Sequence, residues 1–257
     1  MSNELHLPTT LQPYLQHMTP EPIFDGYSGA KVWRWTGQNP TLYLKVDTDL
    51  RREKDCLMWL KDEIAVPQVV AWHKTPTAHY LLMTEITGID ATSFEHDPAT
   101  CVRLMAQGLR EFHAIPMANC PLDRRLDVVI DAARANVEQG LVNANDFDSQ
   151  RLGRTAVDLY AELLATRPAS EDLVVVHGDY CLPNIFFAGG RVSGFIDVGR
   201  AGVGDRYIDL ALAVRSILYN LGDDPQWIDL FFAEYGISTS EIDWAKVEYF
   251  KLLDEFF

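Results

Sequence analysis

The stretch HGDYCLPNIFFAGGRVSGFIDVGR, residues 177–200, places Asp179, Asn184 and Asp197 around a Gly189-Gly190 pair. A carboxylate can accept a proton from a hydroxyl, and side-chain oxygens of Asn and Asp suit a hard divalent cation. If the two glycines form a two-residue hairpin turn, Ala188 faces Arg191 and Asn184 falls opposite Phe195. Alternation then puts Asp197 on the face of Asn184, as a diagonal neighbour about 7–8 Å away. Two protein oxygens, completed by water and phosphate oxygens, are the usual way to hold Mg2+ beside a nucleotide. The competing reading makes Asp179 a turn cap and Asp197 a strand end. The three groups taken together favour chemistry.

Asp179 precedes Asn184 by five residues, the spacing of the catalytic loop of kinases, and Asp197-Val198-Gly199 stands where kinases carry DFG. Lys45 ends the alternating stretch YLKV, as does the kinase lysine that contacts the α- and β-phosphates. Glu53 lies three residues after Leu50 and four before Leu57, on the apolar stripe of a helix. A buried carboxylate there needs a partner, and Lys45 is the natural candidate. The alternative is Glu53 at the stripe's edge, reaching water. In DGYSGAKV, residues 25–32, Gly26 and Gly29 permit close backbone approach to a phosphate, and Ser28 can donate to one. Tyr43 shares a face with Lys45, where it either stacks on a base or packs across strands.

The elements that must position these residues change character along the chain. AKVWRW, TLYLKV (Thr41 to Val46) and HYLLMTEI (His79 to Ile86) read as strands. Leu50, Leu57, Leu60 and Ile64 form one helix, closed by Pro67. Val102, Met105, Leu109 and Phe112 mark a buried helix face. Further helices are expected near 125–140, 151–165, 205–220, 226–235 and 241–256. The break falls at TEITG, which predicts an N-terminal nucleotide-binding lobe over 1–84, a hinge at 85–88 and a catalytic lobe over 89–257.

The chain has 257 residues, enough for two modest lobes with cores of their own. Lysine and arginine total 22 against 37 acids, a net charge of −15 that disfavours nucleic acid and anionic membranes and suits a cationic ligand. The four cysteines form no CxxC pair. Neither a signal peptide nor a spanning segment of roughly 20 apolar residues is legible. A soluble, cytoplasmic protein with reduced thiols is the expectation.

With these residues placed, the chain resembles the aminoglycoside 3′-phosphotransferases, antibiotic-resistance kinases, over essentially its whole length. The likeness rests on LYLKV, RREKDCLMWL, VHGDYCLPNIFF, VSGFIDVGR, GDRYIDLALAVRSI and LLDEFF. It implies an α+β, bilobal, protein-kinase-like fold: a small β-rich N-lobe with one helix and a larger, mostly helical C-lobe. It further implies ATP as donor, with GTP the alternative, Asp179 as catalytic base, and Mg2+ on Asn184 and Asp197. Lys45, oriented by Glu53, is to touch the phosphates; the backbone of Thr84 and Ile86 is to recognise the base, with Tyr43 stacked on it.

The family's antibiotic-binding positions match Asn145, Asp146, Asp148, Arg200, Arg215, Asp254, Glu255 and Phe257, whose terminal carboxylate is to take part. Closely spaced carboxylates suit the ammonium groups of an amino sugar. Tyr219 and Asn220 stand where some relatives carry acids, and Asn145 replaces an acid found in at least one, so the antibiotic spectrum stays open. The implied partner is a small aminoglycoside, with no nucleic acid, membrane or obligate protein partner. Two rivals remain at this point: a kinase for another small hydroxylated amine or sugar, and a non-catalytic nucleotide-binding module.

Overall fold

The computed structural model describes residues 7–24, 29–94 and 96–257, so Ser28 and the rest of residues 25–28 lie outside the described residues. The chain divides into two units. One holds the described residues of Met1–Thr87 with Ser193–Gly199, the other those of Gly88–Val192 with Arg200–Phe257.

The first unit runs through α1 (Gln12–Leu15), β1 (Thr19–Ile23), β2 (Lys31–Thr36), β3 (Leu42–Asp47), α2 (Arg51–Leu60), β4 (Val69–Lys74) and β5 (His79–Thr84). Its five strands form one antiparallel sheet in the order β1-β2-β3-β5-β4. Alternation along β3 sends Leu42 and Leu44 into a core with Leu11, Leu15, Trp35 and Leu82. Each such leucine contributes about 1.5–3 kcal/mol when fully buried. Tyr43 and Lys45 take the opposite face. On α2, Glu53, Cys56, Leu57 and Leu60 are buried, so the carboxylate does sit in the apolar stripe. Its place in the first helical turn also sets it near the positive end of the helix dipole.

Two strands of this sheet are not legible in the sequence. β1, TPEPI, carries Pro20 and Pro22, which argue against a strand, yet β1 is an edge. The two prolines share one alternation, so only one set of amide groups is lost. In β4 every residue from Val69 to His73 is half-buried, and a register shift between Val69 and Ala71 breaks the period of two.

The second unit contains β6 (Ile89–Asp90), α3 (Pro98–His113), α4 (Leu126–Glu138), α5 (Ala156–Ala165), β7 (Leu173–Val176), β8 (Ile185–Ala188), the start of β9 (Arg191–Phe195), β10 (Gly202–Asp205), α6 (Tyr207–Leu221), α7 (Pro225–Tyr235) and α8 (Trp244–Asp254). The Asp97 side chain caps α3 by accepting from the Thr100 amide, and Val102, Met105, Leu109 and Phe112 are fully buried. α5 starts later than the spacing suggests, because the Thr155 hydroxyl caps it by accepting from Asp158 N at 3.1 Å. Every residue from Tyr207 to Val214 in α6 is buried, so this helix runs through the core instead of lying on it. β7 and β10 pair as a two-stranded antiparallel ribbon.

Gly189 and Gly190 form the two-residue turn between β8 and β9, with φ of +59° and +73°, the left-handed pair that a tight hairpin requires. Strand alternation does not place Asn184 and Asp197. Asn184 ends a 3-10 turn, Leu182–Asn184, just before β8. Asp197 lies beyond the end of β9 with φ +54°. Neither residue belongs to a ladder, so pleat geometry does not set their placement.

Candidate active site

The candidate residues fall into one group in the first unit and two in the second. In the first, Lys45 Nζ donates to Glu53 Oε1 at 3.1 Å and lies 2.8 Å from Oε2 and 2.7 Å from Asp197 Oδ1. Burial alone would lower the Lys45 pKa, but the two carboxylates outweigh it and hold the ammonium above the ordinary lysine value. Burial pushes the Glu53 carboxyl up, and Lys45 opposes that shift. The result is a fixed, charged ammonium on a sheet face. The Asp197 side chain is 46% exposed, so this carboxylate remains open to a further ligand.

The segment after β5 has part of its backbone already engaged. Thr84 N donates to Gln68 O at 3.0 Å, and Glu85 N donates to Thr41 O at 3.1 Å. The Gln68 amide donates to the Thr84 hydroxyl at 2.9 Å, not to its carbonyl. The Thr84 N–H is therefore spent, and a base could meet the Thr84 backbone only at its carbonyl. A Cβ on Gly194 would come within 2.9 Å of the Ile86 side chain, so glycine is what lets the 193–199 segment lie against Ile86.

In the second unit the loop around Asp179 is held at nearly every residue. His177 N and Gly178 N donate to the two oxygens of Asp209 at 2.7 and 2.8 Å. The Tyr180 hydroxyl donates to Met105 O in α3 at 2.7 Å, and Leu182 N donates to Ser216 Oγ in α6 at 2.9 Å. Gly178 has φ +84°, and a Cβ there would meet Arg200 O at 2.2 Å, so no other residue fits. Asn184 Nδ2 donates to Asp179 O at 2.9 Å and to Asp179 Oδ2 at 3.1 Å. This fixes the carboxylate and leaves the Asn184 side-chain oxygen as an acceptor. An oxygen from Asn184 and one from Asp197 are hard donors of the kind Mg2+ takes in small number.

A third cluster, also in the second unit, joins Asp148, Asp254, Glu255, Arg200 and Arg215. Asp254 accepts from Arg200 Nη1 at 2.8 Å and from Arg215 Nη2. Burial would raise the Asp254 pKa, but the two guanidinium groups outweigh it and keep the carboxyl below its usual value. Glu255 accepts from the Asp148 amide at 3.2 Å, and burial followed by the Asp148 charge pushes its pKa up to about 7. Arg200 also lies over the Phe257 ring, 5.6 Å from its centroid. The bonds of Asn145 and Asp146 stay in their exposed loop: Asn145 N donates to Asn143 Oδ1 at 3.2 Å, and Asp146 Oδ2 accepts from Asn143 Nδ2 at 2.6 Å. Tyr219 is 81% exposed, while Asn220 Nδ2 donates to Ser216 O at 2.8 Å.

Sequence reasoning passes over two residues here. Arg151 Nη1 sits 3.2 Å from both Asp148 Oδ2 and Glu255 Oε1, bridging the acids. Asp209, fully buried, anchors the loop and meets His113 Nε2 at 3.0 Å. A carboxylate only accepts, so His113 Nε2 donates to it, and His113 Nδ1 lies 2.7 Å from the Tyr235 hydroxyl. The available signal is a lone acid inside the apolar run YIDLALAV. Such an acid needs internal partners.

A family model described as "Phosphotransferase enzyme family" matches residues 19–250. An aminoglycoside 3′-phosphotransferase of Streptomyces fradiae is 39% identical, over 97% of this chain and 99% of its own. The crystal structure of an aminoglycoside 3′-phosphotransferase of type VIII superposes with a TM-score of 0.86 at 34% identity, covering 96% of this chain and 97% of that one. An aminoglycoside phosphotransferase of Streptomyces rimosus in complex with ADP and streptomycin gives 0.83 at 28% identity, with 96% of each chain covered. The fold is accordingly α+β and protein-kinase-like. Among the described residues, no helix is long and apolar enough to cross a membrane. The chain belongs to the aminoglycoside 3′-phosphotransferase family and is a phosphotransferase enzyme.

Proposed function

We propose that this enzyme phosphorylates the 3′-hydroxyl of kanamycin- or neomycin-type antibiotics with ATP, using Asp179 as base and Lys45 as the phosphate contact. The observation that carries this reading is the Lys45 ammonium fixed between Glu53 and Asp197. It is supported by a loop that presents the Asp179 carboxylate already oriented by Asn184. Asp179 accepts the proton of the hydroxyl as its oxygen bonds to the γ-phosphorus. The bond from that phosphorus to the β,γ-bridging oxygen breaks, and ADP leaves. Lys45 offsets charge on the phosphates; positioning supplies much of the acceleration. Asn184 and Asp197 would hold Mg2+, which when bound stabilises charge on the transferring group. The base would lie against Tyr43, near the Thr84 carbonyl and Ile86.

The acidic cluster suits the antibiotic's ammonium groups. Asp254 is already matched by two arginines, whereas Asp148 and Glu255 share the guanidinium of Arg151, so attraction for a further cation depends on that less fully matched pair. Glu255, with its pKa pushed up to about 7, is neutral in acid and ionised in base. A cation binds the ionised form, so KM for kanamycin should rise as pH falls through 7, by about tenfold between pH 8 and pH 6. Glu255→Gln should flatten that profile, and an unchanged profile in the variant would remove Glu255 from the cation site. The same raised pKa makes a folding contribution of opposite sense: stability is present below the ordinary glutamate range and lost as pH climbs through 7.

The reading is tested by incubating purified protein with MgATP and kanamycin and weighing the product. A gain of one phosphoryl group is expected. Intact, folded protein that leaves kanamycin unmodified but phosphorylates another hydroxylated amine would replace the substrate.

A further inference from the structure

The sheet face that carries Tyr43 and Lys45 also carries an ion pair with no role in the chemistry above. Arg34 on β2 stands directly across from Tyr43 on β3, and Glu85 follows β5, the other neighbour of β3. Arg34 donates from Nε and Nη2 to Glu85 Oε1 at 3.1 and 2.9 Å. The Tyr43 hydroxyl donates to the same oxygen at 3.4 Å. A side chain from β2 and one from just past the end of β5 thus meet at the far end of the Tyr43 phenol. Burial, then the Glu85 charge, raises the Tyr43 pKa, so the hydroxyl keeps the proton it donates.

We propose that Arg34 and Glu85 are positioning residues for the nucleotide base, locking the Tyr43 ring as the platform on which a purine stacks. This rests on the assignment of Tyr43 to the base made above. A ring tied only at its Cβ must give up torsional freedom when a base lands on it. One held at its hydroxyl has given up that freedom beforehand. Glu85 sits between Thr84 and Ile86, so the same clamp sets the platform against the backbone that would read the base's edge. The Arg34 and Glu85 side chains are 36% and 33% exposed, and a pair so open to water adds little to folding stability. Its loss should therefore show in nucleotide affinity and hardly in melting temperature.

Calorimetry with MgADP, and with magnesium pyrophosphate as a probe lacking the base, tests this. Arg34→Met, Glu85→Met and Tyr43→Phe should each weaken MgADP binding about two- to tenfold. Pyrophosphate affinity should not move, and in turnover the loss should appear in KM for ATP and not in kcat. Glu85→Met combined with Tyr43→Phe should be no weaker than Glu85→Met alone, because the bond lost in Tyr43→Phe is already among those lost with Glu85. Unchanged MgADP affinity in the Arg34 and Glu85 variants, with Tyr43→Ala weakened, overturns the clamp and leaves the platform. Unchanged affinity in Tyr43→Ala overturns the platform as well. Equal weakening toward pyrophosphate overturns the clamp too, since the effect would not lie at the base.

Discussion

Asp179→Ala is expected to lower kcat by about 10²–10⁴-fold, the usual range for loss of a positioned general base. Nucleotide affinity should survive, because Lys45, Glu53 and Asp197 form their own group in the first unit. Asp179→Asn sharpens the experiment. An asparagine keeps the shape of the side chain but cannot take a proton. A loss similar to that of alanine assigns the effect to proton acceptance. Near-wild-type turnover in Asp179→Asn, or lost ATP affinity with turnover retained in Asp179→Ala, would make Asp179 structural.

The second large effect concerns a residue that touches no reacting atom. Asp209→Ala strips acceptors from His177 N and Gly178 N, both fully inside the protein, and removes the partner of His113 Nε2. Each buried amide left without an acceptor costs about 1–3 kcal/mol. Two such amides in a chain of this length should lower Tm by roughly 5–20 °C. At 25 °C, where the variant is still folded, kcat should fall further than the folded fraction explains, since a displacement of about 1 Å at a catalytic group can cost about a hundredfold. Asp209→Asn, which retains one acceptor oxygen, should fall between. Thermal unfolding with kcat at 25 °C is the measurement, and an alanine variant melting with the wild type would refute the anchor.

The parts of this molecule legible in its sequence share a physical cause. Lys45 and Glu53 could be paired on paper because an acid in an apolar helical stripe has few ways to be tolerated, and the strand beside it offers one cation. Gly189 and Gly190 fix their turn because side chains resist positive φ at both positions. Local rules fail where tertiary context decides. The edge position of β1 tolerates prolines that a central strand would reject. Asn184 and Asp197 lie just outside their strands, so counting pleats outward from the turn overruns the ladder. Asp209 hides in the first turns of a helix that is buried on all sides from Tyr207 to Val214, where the apolar run gives no face to read. Arg151 binds Asp148 nearby in the chain and Glu255 far along it, and only the first pairing is local enough to suspect from spacing.

The proposed reaction transfers a phosphoryl group to one hydroxyl, prepared by Asp179. Its most direct test compares kanamycin with an aminoglycoside lacking the 3′-hydroxyl, following ADP release under MgATP and locating the phosphate by NMR. Phosphate on the 3′-oxygen of kanamycin, with no stimulated ADP release from the 3′-deoxy compound, is the predicted result. Comparable phosphorylation of the 3′-deoxy compound, or phosphate on another oxygen of kanamycin, would contradict it.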